Sequence, residues 1–138
     1  MKTLRLISAG LALGTGLQAW SAPVVITNPG VSAETINADT IKSVFRGKKV
    51  AWGNKTPVIV AILKGGAVHE EFLKSAFNIS TSSFSNYWRL TAMSGGASAP
   101  TEFTSEEELL TFVATTPGAI GYVDDGKVTA AVHSVAIK

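Results

Sequence analysis

The sequence predicts an α/β layer fold: a mixed, mostly parallel sheet with an antiparallel edge, flanked by helices. Three observations predict it. Short β-branched or apolar runs at 24–27, 58–63 and 119–123 alternate with stretches whose apolar residues recur three and four apart. Stop signals bound these runs: Asn28-Pro29-Gly30, Gly65-Gly66 and Pro117-Gly118. The run at 58–63 contains no polar residue, as expected of a strand buried on both faces.

The first 21 residues differ in kind. Lys2 and Arg5 precede an uncharged stretch at 6–19 rich in Leu, Ala and Gly, the layout of a secretory signal peptide. The stretch is shorter than the roughly 20 apolar residues of a membrane span, and Gly10, Gly14 and Gly16 break it. Removal is expected, leaving no membrane anchor. Cleavage after Ser21 places small Ala19 at the minus-three position; cleavage after Ala22, the second choice, would place Trp20 there. The remaining 22–138 is expected to form one domain, since about 115 residues suffice for a single core.

Over all 138 residues the formal net charge is +2. Loss of Lys2 and Arg5 makes the mature chain formally neutral, so charge gives no argument for nucleic acid or anionic lipid. With no cysteine there is no disulfide framework, thiolate metal site or cysteine nucleophile. Export without cysteine fits a bacterial periplasm better than a small disulfide-stapled secreted domain.

The elements follow in order. A first buried strand at 24–27 stops at Asn28-Pro29-Gly30, where proline fixes φ and glycine permits positive φ. Asn37 or Asp39 caps a short helix through Phe45, with Ile41, Val44 and Phe45 on its apolar face and Gly47 as terminator. Pro57 opens the strand at 58–63. After Gly65-Gly66, the spacing of Val68, Phe72, Leu73 and Ala76 predicts a helix to about Phe77. Ser82 or Ser83 caps another helix that carries Phe84, Tyr87, Trp88 and, at its margin, Leu90 toward the core. Small residues make 94–100 a loop. Ser105 and Glu108 form a capping box for a helix with Leu109, Leu110, Phe112 and Val113 as its apolar face, ended by Pro117-Gly118. A strand at 119–123, a turn at Asp124-Asp125-Gly126 and a last strand over 128–137 make a hairpin-like pair.

Four segments carry a family resemblance: IKSVFRG at 41–47 with Trp52, the stretch 58–72, the Tyr87-Trp88 pair, and TPGAIGYV at 116–123. Together they resemble the bacterial phosphate-type solute-binding proteins, specifically short members with one lobe. The last segment is the most specific, and its residues have a direct physical reading. Pro117 cannot continue a helix, Gly118 tolerates positive φ, and Gly121 lets a neighbour pass close inside a strand. The resemblance implies a periplasmic-binding-protein-like domain related to the substrate-binding proteins of phosphate ABC transporters.

It also exposes a departure. In the two-lobed relatives the strand before this helix leads into Arg-Ser-Asp-Gly-Ser-Gly-Thr-Thr, which grips phosphate. Aligned on Phe72 without gaps, the family arginine falls on Ile62, the aspartate on Lys64, the serine on Gly66 and the first threonine on Val68, with Gly65 alone retained. The clamping guanidinium and the hydroxyl donors are missing.

The candidate ligand-binding residues are therefore Lys64, Gly65 and Gly66, where a helix start offers free amides and the positive dipole end beside an ammonium. The loop of Ser94, Gly95 and Gly96 is a second candidate source of amide donors at the same end of the sheet.

Other clusters have simpler explanations. His69, Glu70 and Glu71 are adjacent on a helix and do not face one another, and no second histidine lies at i+4, so no metal site is expected. Glu106, Glu107 and Glu108 occupy a first helical turn, where the dipole favours acids. No nucleophile elbow, phosphate loop or dinucleotide glycine pattern appears, so neither catalysis nor a cofactor is expected. Trp52 and Trp88 read as packing residues.

Two functions follow. The first is a periplasmic binding module that takes a small oxyanion weakly. The second is a periplasmic accessory domain that has lost phosphate binding and holds a protein partner or a second copy of itself.

Overall fold

The computed structural model describes residues 22–32, 36–95 and 97–136. The expected signal peptide at 1–21, Gly96 and Ile137 lie outside the described residues.

The described residues form five strands and four helices: β1 (Pro23–Thr27), α1 (Ala38–Phe45), β2 (Ile59–Leu63), α2 (Ala67–Phe77), α3 (Thr81–Met93), β3 (Thr101–Phe103), α4 (Glu106–Thr115), β4 (Ala119–Asp124) and β5 (His133–Ala136). The sheet order is β3-β2-β4-β1-β5. β2 pairs in parallel with β3 and β4, whereas β1 pairs antiparallel with both β4 and β5. Four strands thus run one way and β1 runs against them. The sheet is mixed and flanked by helices, as the alternation of elements predicts.

Local chemistry starts and stops the helices. Asn37 Oδ1 accepts from the Thr40 N–H at 2.9 Å and caps α1. Ser105 Oγ accepts from the Glu108 N–H at 3.1 Å and caps α4. The cap of α3 is Ser80, whose Oγ accepts from the Ser83 N–H, rather than Ser82 or Ser83. Asn78, in the left-handed region at φ 57°, ends α2 so abruptly that α3 begins three residues later.

The core lies on both faces of the sheet. On one, Leu109 and Val113 of α4, both fully buried, press on β4 at Gly121. On the other, Tyr122 stacks on Phe72 at 4.0 Å between centroids, and Phe45 meets Phe72 edge-on at 5.0 Å, joining α1 and α2 to β4. Full burial of these aromatic and aliphatic side chains supplies most of the driving force, at roughly 25 cal/mol per Å² of apolar area removed from water. Phe84 and Trp88 anchor α3. The Trp88 indole N–H donates to Phe45 O at 2.8 Å and that of Trp52 to Gly118 O at 2.9 Å, consistent with packing roles for both.

Three expectations need correction. Tyr87 is 37% exposed and Leu90 65% exposed, so α3 buries a narrower face than its composition suggests. Residues 101–103, which carry no strand pattern, form the edge strand β3 by pairing with β2. The final pair is not a hairpin. β1 already occupies the free edge of β4, so β5 adds to β1, with Thr27 opposite His133. The chain reaches that position through a 3-10 turn at Asp125–Lys127, where Asp124 Oδ2 accepts from the Gly126 N–H, and the strand shortens to four residues.

Candidate functional site

The parallel strands β2, β3 and β4 end on one side of the sheet, at Leu63, Phe103 and Asp124. There Lys64 leaves the sheet with its N–H donating to Phe103 O at 2.9 Å. Lys64, Gly65 and Gly66 are all exposed. Gly66 stands at the N-cap of α2 with φ 99°, a conformation that requires glycine, and no side chain caps the helix. A Cβ at Gly65 or Gly66 would meet nothing within 4 Å, so the turn is open. The 11-residue helix therefore presents uncapped amides and its positive dipole end to solvent beside an ammonium.

Just inside the turn lies a buried polar pair. The Leu63 N–H donates to Tyr122 Oη at 3.0 Å, and Tyr122 Oη also bonds His69 Nδ1. Tyr122 is fully buried, and desolvation pushes its phenol well above its ordinary range, only partly offset by the Leu63 amide. The phenol keeps its proton and accepts from the Leu63 amide, and the direction of its bond with His69 Nδ1 follows the imidazole tautomer. Burial likewise lowers the His69 pKa below its ordinary 6.5, against the opposing pull of Glu70 and Glu102. Burial thus favours the neutral imidazole, and in the tautomer in which the phenol donates to Nδ1 the ring proton stands on Nε2.

His69 is 2% exposed. Among the described residues its Nε2 has no hydrogen-bond partner, yet the only sealed and unpaired side-chain polar atom among them is Thr27 Oγ1, so Nε2 keeps an outlet. That outlet is a groove of about 280 Å³ between the end of β2 and α3. Lys64, Thr81, Ser85, Arg89 and Glu102 line it together with apolar Ile62, Phe84 and Trp88. Its importance was missed in the sequence, where Val68 was placed on the apolar face. The spacing His69, Phe72, Leu73, Ala76 is the signal, since all four are buried and fall three and four apart.

Ser94 and Gly95 of the second loop supply no donors to this site. Ser94 and Gly95 stand at the carboxyl end of α3, and their amides are spent inside it: Ser94 N–H on Leu90 O at 3.1 Å and Gly95 N–H on Ala92 O at 3.2 Å. The Ser94 hydroxyl donates to Thr91 O at 2.8 Å. A helix carboxyl end carries negative partial charge, the wrong sign for an anion. Gly95 lines a different groove, with Lys49, Pro57 and Ile59 at the start of β2 rather than its end.

The surrounding charge is mixed. Glu106, Glu107 and Glu108 open α4 on the same side of the sheet; Glu106 Oε2 accepts from the Asp124 N–H at 2.6 Å and Glu107 pairs with Lys127 at 2.6 Å. At the positions of the family's phosphate-gripping arginine and threonine stand Ile62, buried, and Val68, half-buried, neither of which offers a polar side chain. Among the described residues there is no group of three or more His, Asp or Glu side chains placed to hold a metal ion, and no helix is long and apolar enough to cross a membrane.

No protein-family model and no curated protein matches the chain. Solved structures do. An ABC-type phosphate transport receptor from Vibrio cholerae superposes with a TM-score of 0.63 at 12% identity, over 83% of this chain and 45% of that one. A putative phosphate ABC transporter substrate-binding protein with bound phosphate from Clostridium perfringens gives 0.63 at 16% identity, over 86% and 44%. PstS from Borrelia burgdorferi gives 0.61 at 13% identity, over 86% and 47%. The chain spans less than half the length of each, and at these identities the likeness concerns the fold: this protein has the fold of a single lobe of a phosphate-type substrate-binding protein.

Proposed function

We propose that the protein is a periplasmic binding module that takes a small anion weakly at the start of α2, and that it is neither a tight phosphate receptor nor an enzyme. The observation that carries this is the uncapped helix start at Gly66, open to solvent beside Lys64. Amides and a dipole attract an oxyanion without a guanidinium, but a single exposed ammonium is screened over about 10 Å at 0.1 M salt. Weakness follows from the residues that replace the family's grip: Ile62, Gly66 and Val68 supply no side-chain donor. The periplasmic assignment rests on the layout of residues 1–21; mass spectrometry of a periplasmic extract tests it, with a mature N-terminus at Ala22 or Pro23 expected and an intact Met1 on a cytoplasmic protein contradicting it.

Calorimetric titration with phosphate, sulfate and small carboxylates tests the reading. A dissociation constant no better than about millimolar is expected, equivalent to roughly 4 kcal/mol. It should weaken further in Lys64→Ala.

One observation favours the accessory role as a second reading. Tyr87, Leu90 and Met93, 37%, 65% and 77% exposed, form an apolar stripe on the outer face of α3. The mass of the mature protein in solution checks it: a dimer would favour the accessory role, whereas a monomer leaves the stripe without a self-partner.

A further inference from the structure

We infer that the groove floored by His69 is a binding place for a small aliphatic monocarboxylate, held by a hydrogen bond from His69 Nε2–H and by charge from Arg89 and Lys64. The inference rests on the anion site proposed above, which the groove adjoins through Lys64, and extends it inward with a ligand class and a donor.

The donor is unusually well defined. His69 is almost wholly buried, its ring stacks on Tyr122 at an interplanar angle of 23° and meets Phe84 edge-on, and Nδ1 is committed to the Tyr122 hydroxyl. Rotation of the ring would break that bond, and with the Tyr122 hydroxyl proton directed at Nδ1 the ring's own proton stands on Nε2, the nitrogen left to the groove. An Nε2–H with no acceptor among the described residues has only groove water to donate to, and a ligand oxygen would take the place of that water.

The charges select the ligand. Groups that face the groove or the ring are Lys64 from the end of β2, Arg89 and the hydroxyls Thr81 and Ser85 from α3, Glu102 from β3, Tyr122 from β4, and Glu70 on α2 itself. Within the groove two cations stand against one carboxylate. Two cations and one carboxylate leave a net charge of +1, which a monoanion balances and a dianion exceeds. A guanidinium pairs bidentately with a carboxylate; one Arg89 terminal nitrogen donates to Asn86 Oδ1 at 2.6 Å, outside the groove lining, and its remaining N–H groups are left for a ligand. Ile62, Phe84 and Trp88 give the rest of the ligand an apolar wall. A short alkyl chain fits that wall, and a fully hydrated inorganic oxyanion gains nothing from it.

Butyrate serves as the probe, titrated into the mature protein with the imidazole nitrogens followed by NMR. Without ligand, the His69 nitrogens should show the neutral Nε2–H tautomer. Butyrate should shift Nε2 and its proton saturably, with the same dissociation constant that calorimetry gives. Arg89→Gln, at an exposed position, should weaken butyrate about tenfold, Glu102→Gln should tighten it, and sulfate should bind more weakly than butyrate. If no anion binds at tens of millimolar, the proposed anion site and this inference both fall. If sulfate or phosphate binds and is lost in Lys64→Ala while the His69 nitrogens stay unmoved by butyrate, the anion site stands and this inference alone is overturned. An unchanged butyrate affinity in Arg89→Gln overturns it as well.

Discussion

Gly121 is the position where one added side chain should tell most about how the sheet and α4 fit. It lies inside β4, opposite Ile26 of β1. A Cβ there would stand 2.7 Å from Leu109 Cδ2, 3.1 Å from Ala61 O and 3.3 Å from Val113 Cγ2. Leu109 and Val113 are fully buried, so neither can swing into solvent, and the Ala61 carbonyl belongs to the β2 backbone. Gly121→Val therefore pushes α4 off the sheet. Overpacking of this kind costs about 1 to 3 kcal/mol. The opposing gain, from a better strand former and a less free unfolded chain, is at most about 1 kcal/mol. With methyls added beyond an already tight Cβ, the upper part of the cost range applies, and a net loss of about 2 kcal/mol is expected. For a domain of this size that is a fall of roughly 8 °C in thermal midpoint. Circular dichroism melts and urea titrations measure it, with the urea midpoint falling at unchanged slope. A variant as stable as the wild type would refute the close approach of α4 to β4.

Three further predictions follow from single contacts. Gly118 has φ 83°, and a Cβ would stand 2.1 Å from Pro57 O; Gly118→Ala should lose about 3 kcal/mol or more and alter Trp52 fluorescence, because the Trp52 indole donates to Gly118 O. Asn28 donates from Nδ2 to Val113 O and Ala114 O and accepts at Oδ1 from the Gly30 N–H, so Asn28→Ala should cost about 1 to 3 kcal/mol in urea titrations, and a cost near zero would count against this tie between β1 and α4. Because burial lowers the His69 pKa in the folded state, the unfolded chain takes up its proton first as pH falls. That contribution to stability is complete above about pH 6.5 and declines from there toward the folded-state pKa, at no more than about 1.4 kcal/mol per pH unit; His69→Gln should flatten the decline, and an unchanged slope would contradict a neutral buried imidazole.

Features set by neighbours in the chain were legible in the sequence. Asn37 and Ser105 cap their helices because the bond they accept lies three residues away, Gly118 takes the positive φ that Pro117-Gly118 implies, and the all-apolar run at 58–63 supplies an interior strand paired on both sides. Features set by distant partners were not. Nothing within 128–137 says that β1 already occupies the edge of β4, and Thr101-Glu102-Phe103 is a strand only because β2 offers its edge. The candidate site divides in the same way. The Lys64-Gly65-Gly66 turn follows from a strand end and a helix start, whereas Ser94 and Gly95 look like a donor loop until the carboxyl end of α3 is seen to consume their amides. His69 owes its role to Tyr122, 53 residues away.

Calorimetric titration of the mature protein with phosphate, repeated in Lys64→Ala and in moderate salt, tests the central claim most directly. The predicted result is a dissociation constant no tighter than about millimolar, weakened by salt and by loss of the ammonium, because Ile62, Gly66 and Val68 stand where a phosphate grip would need a guanidinium and hydroxyls. Micromolar phosphate binding that survives both changes would contradict it.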